Sequence, residues 1–135
     1  MVAPLLELGR RECIELLERE RIGRLAVTTP GGVPVIRPLN YLFDRGSQSI
    51  VFRVLPGAKL YALRHARQAV FEIDGVEPDG SSAWSVVVRG VCEEITSTPE
   101  VARLERLGLE SWAGERARLW FRIRASVVRG RRLAR

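Results

Sequence analysis

Turn signals built from proline and glycine recur at short intervals along this sequence, and they restrict its fold more than any other feature. Pro30-Gly31-Gly32 and Asp44-Arg45-Gly46 each separate two short runs of β-forming residues. Strands joined by such short turns pair antiparallel, because a parallel pair needs a crossover of roughly a dozen or more residues. The turns therefore predict an antiparallel β protein built largely from hairpins.

The hydrophobic pattern between the turns predicts six strands and three short helices. A chain of 135 residues leaves little room for a second domain, so residues 1–135 are expected to form one. Six antiparallel strands can close into a small barrel with helices at its periphery, although an open α+β sheet fits the same elements. The predicted strands are 24–29, 33–41, 49–54, 69–74, 84–96 and 119–128, and the predicted helices are 9–21, 58–67 and 98–107.

Prolines and a glycine inside the predicted strands indicate where regular pairing stops. Pro34 and Pro38 have no backbone N–H to donate, so the strand over 33–41 is predicted to lie at a sheet edge or to carry a bulge near Pro38. Gly90 lies within the longest predicted strand and predicts a bend or bulge there.

The chain offers few side chains for metal or acid–base chemistry. His65 is the single histidine, and the two cysteines, Cys13 and Cys92, stand far apart without a CxxC motif. This composition argues against the usual metal sites and favours the cysteines as small buried apolar residues. The GxSxG, P-loop and GxGxxG motifs are absent from the sequence as well. If the protein is an enzyme, a cofactor has to supply the chemistry.

The sequence is basic, with a formal net charge of +6 and six arginines between positions 122 and 135. A solvated strand face followed by a basic tail explains this concentration most simply. A phosphate-bearing ligand is the functional interpretation. Nucleic acid ranks third, because no recognised binding motif accompanies the charge.

The hydropathy pattern indicates where in the cell the protein is located. No apolar run approaches the roughly 20 residues of a membrane helix, and the first residues lack the pattern of a signal peptide. The sequence therefore predicts a cytoplasmic protein that makes no contact with a membrane.

One segment has the composition of an anion site. A strand end, a turn and a helix start bring Arg53, Gly57 and Lys59 close together in the sequence. Arginine can contact a phosphate through two N–H groups, and a helix start exposes backbone N–H groups to an anion. The structural alternative is that Arg53 is a surface charge on its strand and Lys59 a solvated helix residue.

A second segment, Arg37-Pro38-Leu39-Asn40-Tyr41, is suited to an uncharged part of a ligand. Its proline interrupts pairing and leaves backbone groups free, while Asn40 carries a donor and an acceptor that match the edge of a heterocycle. An edge strand with a turn-forming asparagine explains the same residues without a ligand.

These segments belong to a longer series of motifs along the chain. In order they are Glu12-Cys13, Ile22-Gly23-Arg24-Leu25-Ala26, Pro38-Leu39-Asn40-Tyr41, Ile50-Val51-Phe52-Arg53, Pro56-Gly57-Ala58-Lys59-Leu60, Phe71-Glu72-Ile73-Asp74, Trp84-Ser85-Val86-Val87-Val88-Arg89-Gly90 and Leu119-Trp120-Phe121-Arg122-Ile123. The series resembles the bacterial branch of the pyridoxamine 5′-phosphate oxidase-like family, the FMN-binding split barrels. The resemblance extends over nearly the whole chain.

The resemblance implies a mainly β, six-stranded antiparallel split barrel that forms a homodimer with two flavin sites at the subunit interface. Arg53, Lys59 and the turn between them, which includes Val54, Gly57 and Ala58, would hold the FMN phosphate. Family members often carry hydroxyl residues at the positions of Val54 and Ala58. Losing two hydrogen bonds to a charged acceptor, at about 1.5–3 kcal/mol each, would weaken FMN binding.

The resemblance also implies which residues surround the flavin ring. Pro38, Leu39 and Asn40 would border the isoalloxazine. Trp84 and Ser85 would approach the ring or the ribityl chain, and Trp112 or Trp120 would reach the site from the partner subunit. A place in the core or at the dimer interface explains each tryptophan equally well.

The leading functional interpretation is an FMN-dependent oxidoreductase that acts on an unknown small organic substrate. A deazaflavin-dependent reductase fits the same phosphate turn. A non-catalytic protein that binds flavin or haem is the next alternative, with His65 or a cysteine as the axial ligand of a haem. Nucleic-acid binding through the arginine-rich end is the weakest of these interpretations.

Overall fold

The computed structural model describes residues 5–56, 67–112 and 114–134. These ranges contain nine strands, two α-helices and a 3-10 turn at Gly114–Arg116. The strands are β1 (Leu5–Leu8), β2 (Ile22–Thr28), β3 (Pro34–Asn40), β4 (Leu42–Asp44), β5 (Ser49–Val54), β6 (Arg67–Val76), β7 (Ser82–Ile95), β8 (Leu119–Arg124) and β9 (Val127–Ala134), and the helices are α1 (Arg10–Arg19) and α2 (Thr98–Glu105). The predicted helix over 58–67 lies outside the described residues, apart from Arg67, which begins β6.

The described strands form one antiparallel sheet in the order β3-β2-β6-β7-β8-β5-β4, and β9 adds to it by pairing with β7 and with β1. A single residue, Tyr41, connects β3 to β4, although these strands lie at opposite ends of the order. The sheet therefore has to curl until its two edges approach each other. Because no ladder joins β3 to β4, the barrel stays split, and the prediction of an antiparallel split barrel is confirmed.

All six predicted strands are present, as β2, β3, β5, β6, β7 and β8. Two short additions, β1 and β4, are too brief to show a pattern in the sequence. β3 lies at an edge of the sheet, as its prolines predict. The helices α1 and α2 fall within their predicted ranges. Neither of these described helices is long and apolar enough to cross a bilayer.

The C-terminal arginines form a strand, and the prediction of a basic tail there is wrong. The predicted strand over 119–128 breaks at Ala125 and Ser126, after which β9 pairs with β7 along its whole length. Alternation places Arg129 and Arg131 on the outer face and the buried Gly130 on the inner face. The strand is hard to recognise in the sequence because its inner face carries so few large apolar residues.

Gly90 lies where β7 changes partners. β7 pairs with β9 up to Arg89 and with β8 from Cys92 onward. A Cβ atom at Gly90 would overlap the backbone carbonyl oxygen of Arg124 at the end of β8. This close approach of two backbones is the reason that the strand needs glycine at this position.

The main core fills the inside of the barrel. Tyr41, Phe52, Phe71 and Phe121 are fully buried, and the rings of Phe52 and Phe121 stack with their centroids 5.9 Å apart. α1 packs on this core because its apolar residues recur at helical spacing and form one face. The buried residues of α1 are Cys13, Leu16 and Leu17.

A second, smaller cluster fixes the chain that follows α2. Val51 and Trp120 come from the sheet, Leu104 comes from α2, and Leu109 lies beyond the end of that helix. All four are buried. The cluster therefore anchors the segment around Leu109 against β5 and β8.

An ion-pair network joins α2 to the sheet. The side chain of Asp44 is 4% exposed and accepts Nη1 and Nη2 of Arg103 at 3.1 and 2.6 Å. Arg103 also contacts Glu100, whose carboxylate accepts Nη2 of Arg122 at 2.8 Å. Hydrogen bonds from Arg103 and Ser47 hold the pKa of Asp44 at about 2, against an ordinary value of 3.8.

We expect the protein to lose stability in acid as Asp44 becomes protonated. Because its pKa is lower in the folded state, the stabilisation is present above the ordinary pKa of 3.8 and is lost as the pH falls to about 2. Asp44→Asn should lower the free energy of unfolding by about 2 kcal/mol at neutral pH and flatten its acid dependence.

Chemical denaturation at a series of pH values measures both effects. The control, Glu15→Gln, removes an exposed ion pair of 3.5 Å with Arg11 and should change the free energy of unfolding by less than about 0.5 kcal/mol. If the free energy of unfolding of Asp44→Asn depends on acid pH as strongly as that of the wild type, Asp44 is not the group responsible for the loss of stability.

Candidate ligand-binding cleft

A cleft of about 510 Å³ opens where the start of β2 and the end of β3 meet the segment that follows α2. Its walls are residues 21–22, 40–42 and 108–110, together with Trp112. Cavities of roughly 300–1,000 Å³ commonly hold small-molecule ligands. We call it the Asn40–Trp112 cleft, after the two residues that connect its walls.

Backbone hydrogen bonds build the strand wall of the cleft. Ile22 pairs with Asn40 in the β2–β3 ladder, and the N–H of Tyr41 donates to the carbonyl of Arg21 at 3.1 Å. The Tyr41 hydroxyl donates to the carbonyl of Leu17 at 2.6 Å and so ties this corner to α1. Burial raises the pKa of Tyr41, so its phenol stays protonated at neutral pH.

Asn40 joins the strand wall to the loop wall. Its Oδ1 accepts the backbone N–H of Trp112 at 2.9 Å. The amide NH₂ of Asn40 makes no hydrogen bond within the described part of the chain. A free amide donor beside apolar walls can bond a carbonyl or a ring nitrogen of a ligand. The surroundings of Asn40 therefore suit the contact with a heterocycle that the sequence predicts.

Arg53 lies directly behind the loop wall. Its Nη2 donates to the carbonyl of Leu109 at 2.7 Å, and its guanidinium lies over the ring of Trp120, 5.4 Å from the centroid. Its buried Nε has no hydrogen-bond partner among the described residues. A buried donor without an acceptor costs about 1–3 kcal/mol, more for a charged group, so an anion at this N–H would be stabilising.

The three tryptophans have different surroundings. Trp112 is 78% exposed and lines the cleft of its own chain. Trp120 is 4% exposed in the cluster beneath Arg53, so it does not project toward a partner subunit. Trp84 is 5% exposed in the main core, where Arg19 lies 5.4 Å from its ring centroid. Trp112 is therefore the tryptophan with a free face, whereas core packing accounts for Trp84 and Trp120.

Other residues predicted for the site lie apart from the cleft. Arg37 donates to the carbonyl of Ile36 at 3.0 Å. Pro38 is exposed on the edge strand, and Leu39 packs against the main core. Ser85 lines a separate groove on the outer face of the sheet.

The side chain of Val54 packs in the main core. Its side chain is 6% exposed within the main cluster, and neighbouring residues of a strand point to opposite faces. A hydroxyl at this position would therefore enter the core and not the face that Arg53 occupies, and a contact of Val54 with a phosphate stays a prediction. Gly57, Ala58 and Lys59 lie outside the described residues, and their role stays a prediction.

Sequence reasoning found Trp112 but missed the rest of the loop wall and Arg21. Glu110 and Arg21 add charged side chains to the cleft, and Leu109 adds an apolar one. These residues belong to connections without a motif, and the hydrogen bond from Trp112 to Asn40 spans 72 positions in the sequence. A sequence signal for this wall would have been the apolar Leu109 and Trp112 in an otherwise polar connection.

The two cysteines are buried and unpaired, as predicted. Burial is the main cause that raises the pKa of Cys13, and it raises the pKa of Cys92 to about 12. Both thiols therefore stay protonated at neutral pH and do not supply a thiolate.

An antiparallel split barrel with a ligand-sized cleft between its edge strand and a loop defines a class of small β proteins, and it leaves the activity open. Residues 9–132 match the pyridoxamine 5′-phosphate oxidase family. The chain belongs to that family.

Similar proteins cover almost the whole chain. An uncharacterized protein of Mycobacterium tuberculosis is 33% identical over 133 residues, which are 95% of this chain and 85% of that protein. A structure from Corynebacterium glutamicum, named as a candidate pyridoxamine 5′-phosphate oxidase, has a TM-score of 0.82 at 28% identity and covers 99% of this chain and 97% of that one. An FAD binding protein from Mycobacterium smegmatis has a TM-score of 0.80 at 27% identity and covers 96% of this chain and 98% of that one.

Proposed function

We propose that this protein is a cytoplasmic, FMN-dependent oxidoreductase that acts on a small organic substrate. The observation that carries the proposal is the cleft in which Asn40 and Trp112 meet, with the unpartnered Nε of Arg53 behind its wall. Membership of the pyridoxamine 5′-phosphate oxidase family supports a flavin as the ligand.

The cleft suits the isoalloxazine part of a flavin. This ring system is planar and carries carbonyl and N–H groups along one edge, to which the free amide of Asn40 can donate. Trp112 offers an exposed aromatic face for stacking, and Ile22 and Leu42 supply apolar contacts. A planar heterocycle with one polar edge therefore matches both the walls and the donors of the cleft.

Arg53 would hold the phosphate of FMN. Its side chain is partly exposed, and its guanidinium keeps further N–H donors for a phosphate oxygen beyond the one that binds Leu109. Lys59, which follows β5 in the sequence, would add a second positive charge. The similar FAD binding protein of Mycobacterium smegmatis makes FAD the first alternative, and a deazaflavin would place its phosphate on the same residues.

A bound flavin supplies the transfer of electron pairs, so no acid–base side chain of this protein is needed for the chemistry. Asn40 would orient the ring, and Trp112 would cover one of its faces and exclude water there. Haem is less well supported as the ligand, because burial keeps Cys13 and Cys92 protonated. His65 lies outside the described residues.

A homodimer is part of the proposal. The outer face of the sheet carries four exposed apolar side chains, at 48–69% exposure. The strand register aligns three of them, Leu5, Leu133 and Val76, in one row at one end of this face, where they can pack against a second copy. The four are Leu5, Ile36, Val76 and Leu133. Sedimentation equilibrium should then give twice the 15.2 kDa mass of one chain.

Trp112→Ala should weaken flavin binding about 2- to 13-fold, because an aromatic stacking contact is worth about 0.5–1.5 kcal/mol. The dissociation constants of FMN and FAD follow from the quenching of flavin fluorescence as protein is added. Leu107→Ala is the matched control, since it removes an exposed apolar side chain of the same connection that does not line the cleft. Equal affinities in all three proteins would exclude stacking on Trp112.

Electron exchange separates an oxidoreductase from a flavin carrier. The photoreduced FMN complex is mixed with a quinone under nitrogen, and its reoxidation is compared with that of free reduced FMN. Two electrons and two protons pass from the reduced flavin to the quinone, which becomes a hydroquinone. Faster reoxidation of the complex supports the proposal, whereas slower reoxidation indicates that the protein shields and stores the flavin.

A further inference from the structure

A second concave site, which we call the arginine groove, lies on the outer face of the sheet along β7 and β9. It is a depression of about 280 Å³ lined by Ser85, Val87, Arg89, Val127, Arg129 and Arg131. Three arginines and one serine thus border a single small volume. None of the described residues that line it is acidic.

The strand register explains why these arginines gather. Arg129 pairs with Val87 in the β7–β9 ladder, and Arg131 pairs with Ser85. Opposite residues share a face of the sheet, and every second residue of a strand returns to it after about 7 Å. Arg89, two residues beyond Val87, is therefore a diagonal neighbour of Arg129 on the same face.

The three arginines have no hydrogen bond or ion pair with any other described residue. Glu7 stands opposite Arg131 in the β1–β9 ladder without forming an ion pair. The other acids nearby are engaged elsewhere, since Arg24 contacts Glu72 at 2.6 Å and Asp74 at 3.1 Å. Three like charges at close range repel each other, and an anion in the groove would remove that repulsion.

We propose that the arginine groove binds a phosphoryl group of a small molecule. Guanidinium groups bind phosphate oxygens through paired N–H donors, and the hydroxyl of Ser85 adds a further donor. Two sources share this chemistry, namely the diphosphate of a dinucleotide flavin and a separate phosphorylated substrate.

The groove is close enough to the Asn40–Trp112 cleft for one ligand to reach both sites. Ile22 of the cleft and Ser85 of the groove lie on the same face of the sheet, because Arg24 pairs with Glu72 in β6, and Asp74 of β6 pairs with Ser85. β2 and β7 are separated only by β6, a distance of about 10 Å at about 4.8 Å per strand. A dinucleotide flavin can span such a distance.

Isothermal titration calorimetry with inorganic pyrophosphate, FMN and FAD tests the groove on the full chain. The variants are Arg129→Gln and Arg89→Gln, with Arg11→Gln as the control because its side chain is 95% exposed on α1. Each groove variant should weaken pyrophosphate binding about tenfold or more, since hydrogen bonds to charged groups are strong. Thermal melting and sedimentation of every variant show that its fold and mass are unchanged.

The pattern across ligands identifies the source of the phosphoryl group. Weaker binding of pyrophosphate and FAD in the groove variants, with FMN unaffected, assigns the groove to a dinucleotide flavin. Weaker binding of pyrophosphate alone assigns it to a separate phosphorylated molecule. The pyrophosphate titrations need no flavin, so they decide the groove even if FMN and FAD fail to bind and the proposed function is lost.

Three results would overturn the proposal. The first is a wild-type protein that does not bind pyrophosphate. The second is an affinity for pyrophosphate that falls no further in Arg129→Gln and Arg89→Gln than in Arg11→Gln. The third is tighter binding of a single-stranded oligonucleotide than of pyrophosphate, lost in the same variants, which would make the groove a nucleic-acid surface.

Discussion

Gly90→Ala is expected to lower the free energy of unfolding by about 3 kcal/mol or more and the melting temperature by roughly 10 °C. The added methyl group would overlap the carbonyl oxygen of Arg124. That oxygen belongs to the backbone, so no side-chain rotation can relieve the overlap. The two strands have to move apart at the point where β7 passes from β9 to β8, which weakens both ladders.

Gly9→Ala is the matched control for this substitution. Gly9 precedes α1 with a φ of −70°, and a Cβ atom there would have no neighbour within 4 Å. Its free energy of unfolding should stay within about 0.5 kcal/mol of the wild type. Urea denaturation measures the free energy of unfolding of the wild type, Gly9→Ala and Gly90→Ala. A Gly90→Ala protein as stable as Gly9→Ala would refute the close approach of β7 and β8.

Arg53→Gln is expected to weaken FMN binding by roughly tenfold to hundredfold while leaving riboflavin binding unchanged. A hydrogen bond to a charged group is worth about 1.5–3 kcal/mol, and each 1.4 kcal/mol is a factor of about ten in affinity. Riboflavin has the same ring as FMN and no phosphate. The difference between the two ligands therefore isolates the contact of Arg53 with the phosphate.

Arg53 also holds the loop wall through the carbonyl of Leu109, and riboflavin separates the two roles. If the substitution only loosens the wall, riboflavin and FMN lose affinity together. Arg124→Gln is the control, because Arg124 is a half-exposed arginine on the adjacent strand with an ion pair of 3.4 Å to Glu93. Unchanged FMN affinity in Arg53→Gln would remove Arg53 from the phosphate site.

The barrel strands could be predicted because their signals are local. Pro30-Gly31-Gly32 and Asp44-Arg45-Gly46 lie between paired strands, and Pro34 and Pro38 lie on an edge strand. Gly90 lies at a change of partners within the longest strand. In each case the covalent geometry of proline or glycine determines the local structure, whether a turn, an edge strand or a change of partner. The sequence pattern is therefore sufficient to predict it.

The cleft and the groove could be predicted only in part, because both depend on contacts between distant parts of the chain. Asn40 was recognised by its chemistry, but its partner at Trp112 is fixed by the fold. Arg129 and Arg131 looked like part of a basic tail, since the inner face of their own strand, β9, carries few large apolar residues and its pairing with β7 has no local signal. Trp84 is buried against Gly75, which the sequence separates from it by a polar turn.

Flavin binding in the Asn40–Trp112 cleft is tested most directly by the visible difference spectrum of FMN on addition of the protein at equilibrium. We predict a shift of the flavin absorption bands that saturates at one FMN per chain and that is weakened in Trp112→Ala. An FMN spectrum that does not change at any protein concentration, with FAD behaving in the same way, would contradict the assignment of this cleft as a flavin site.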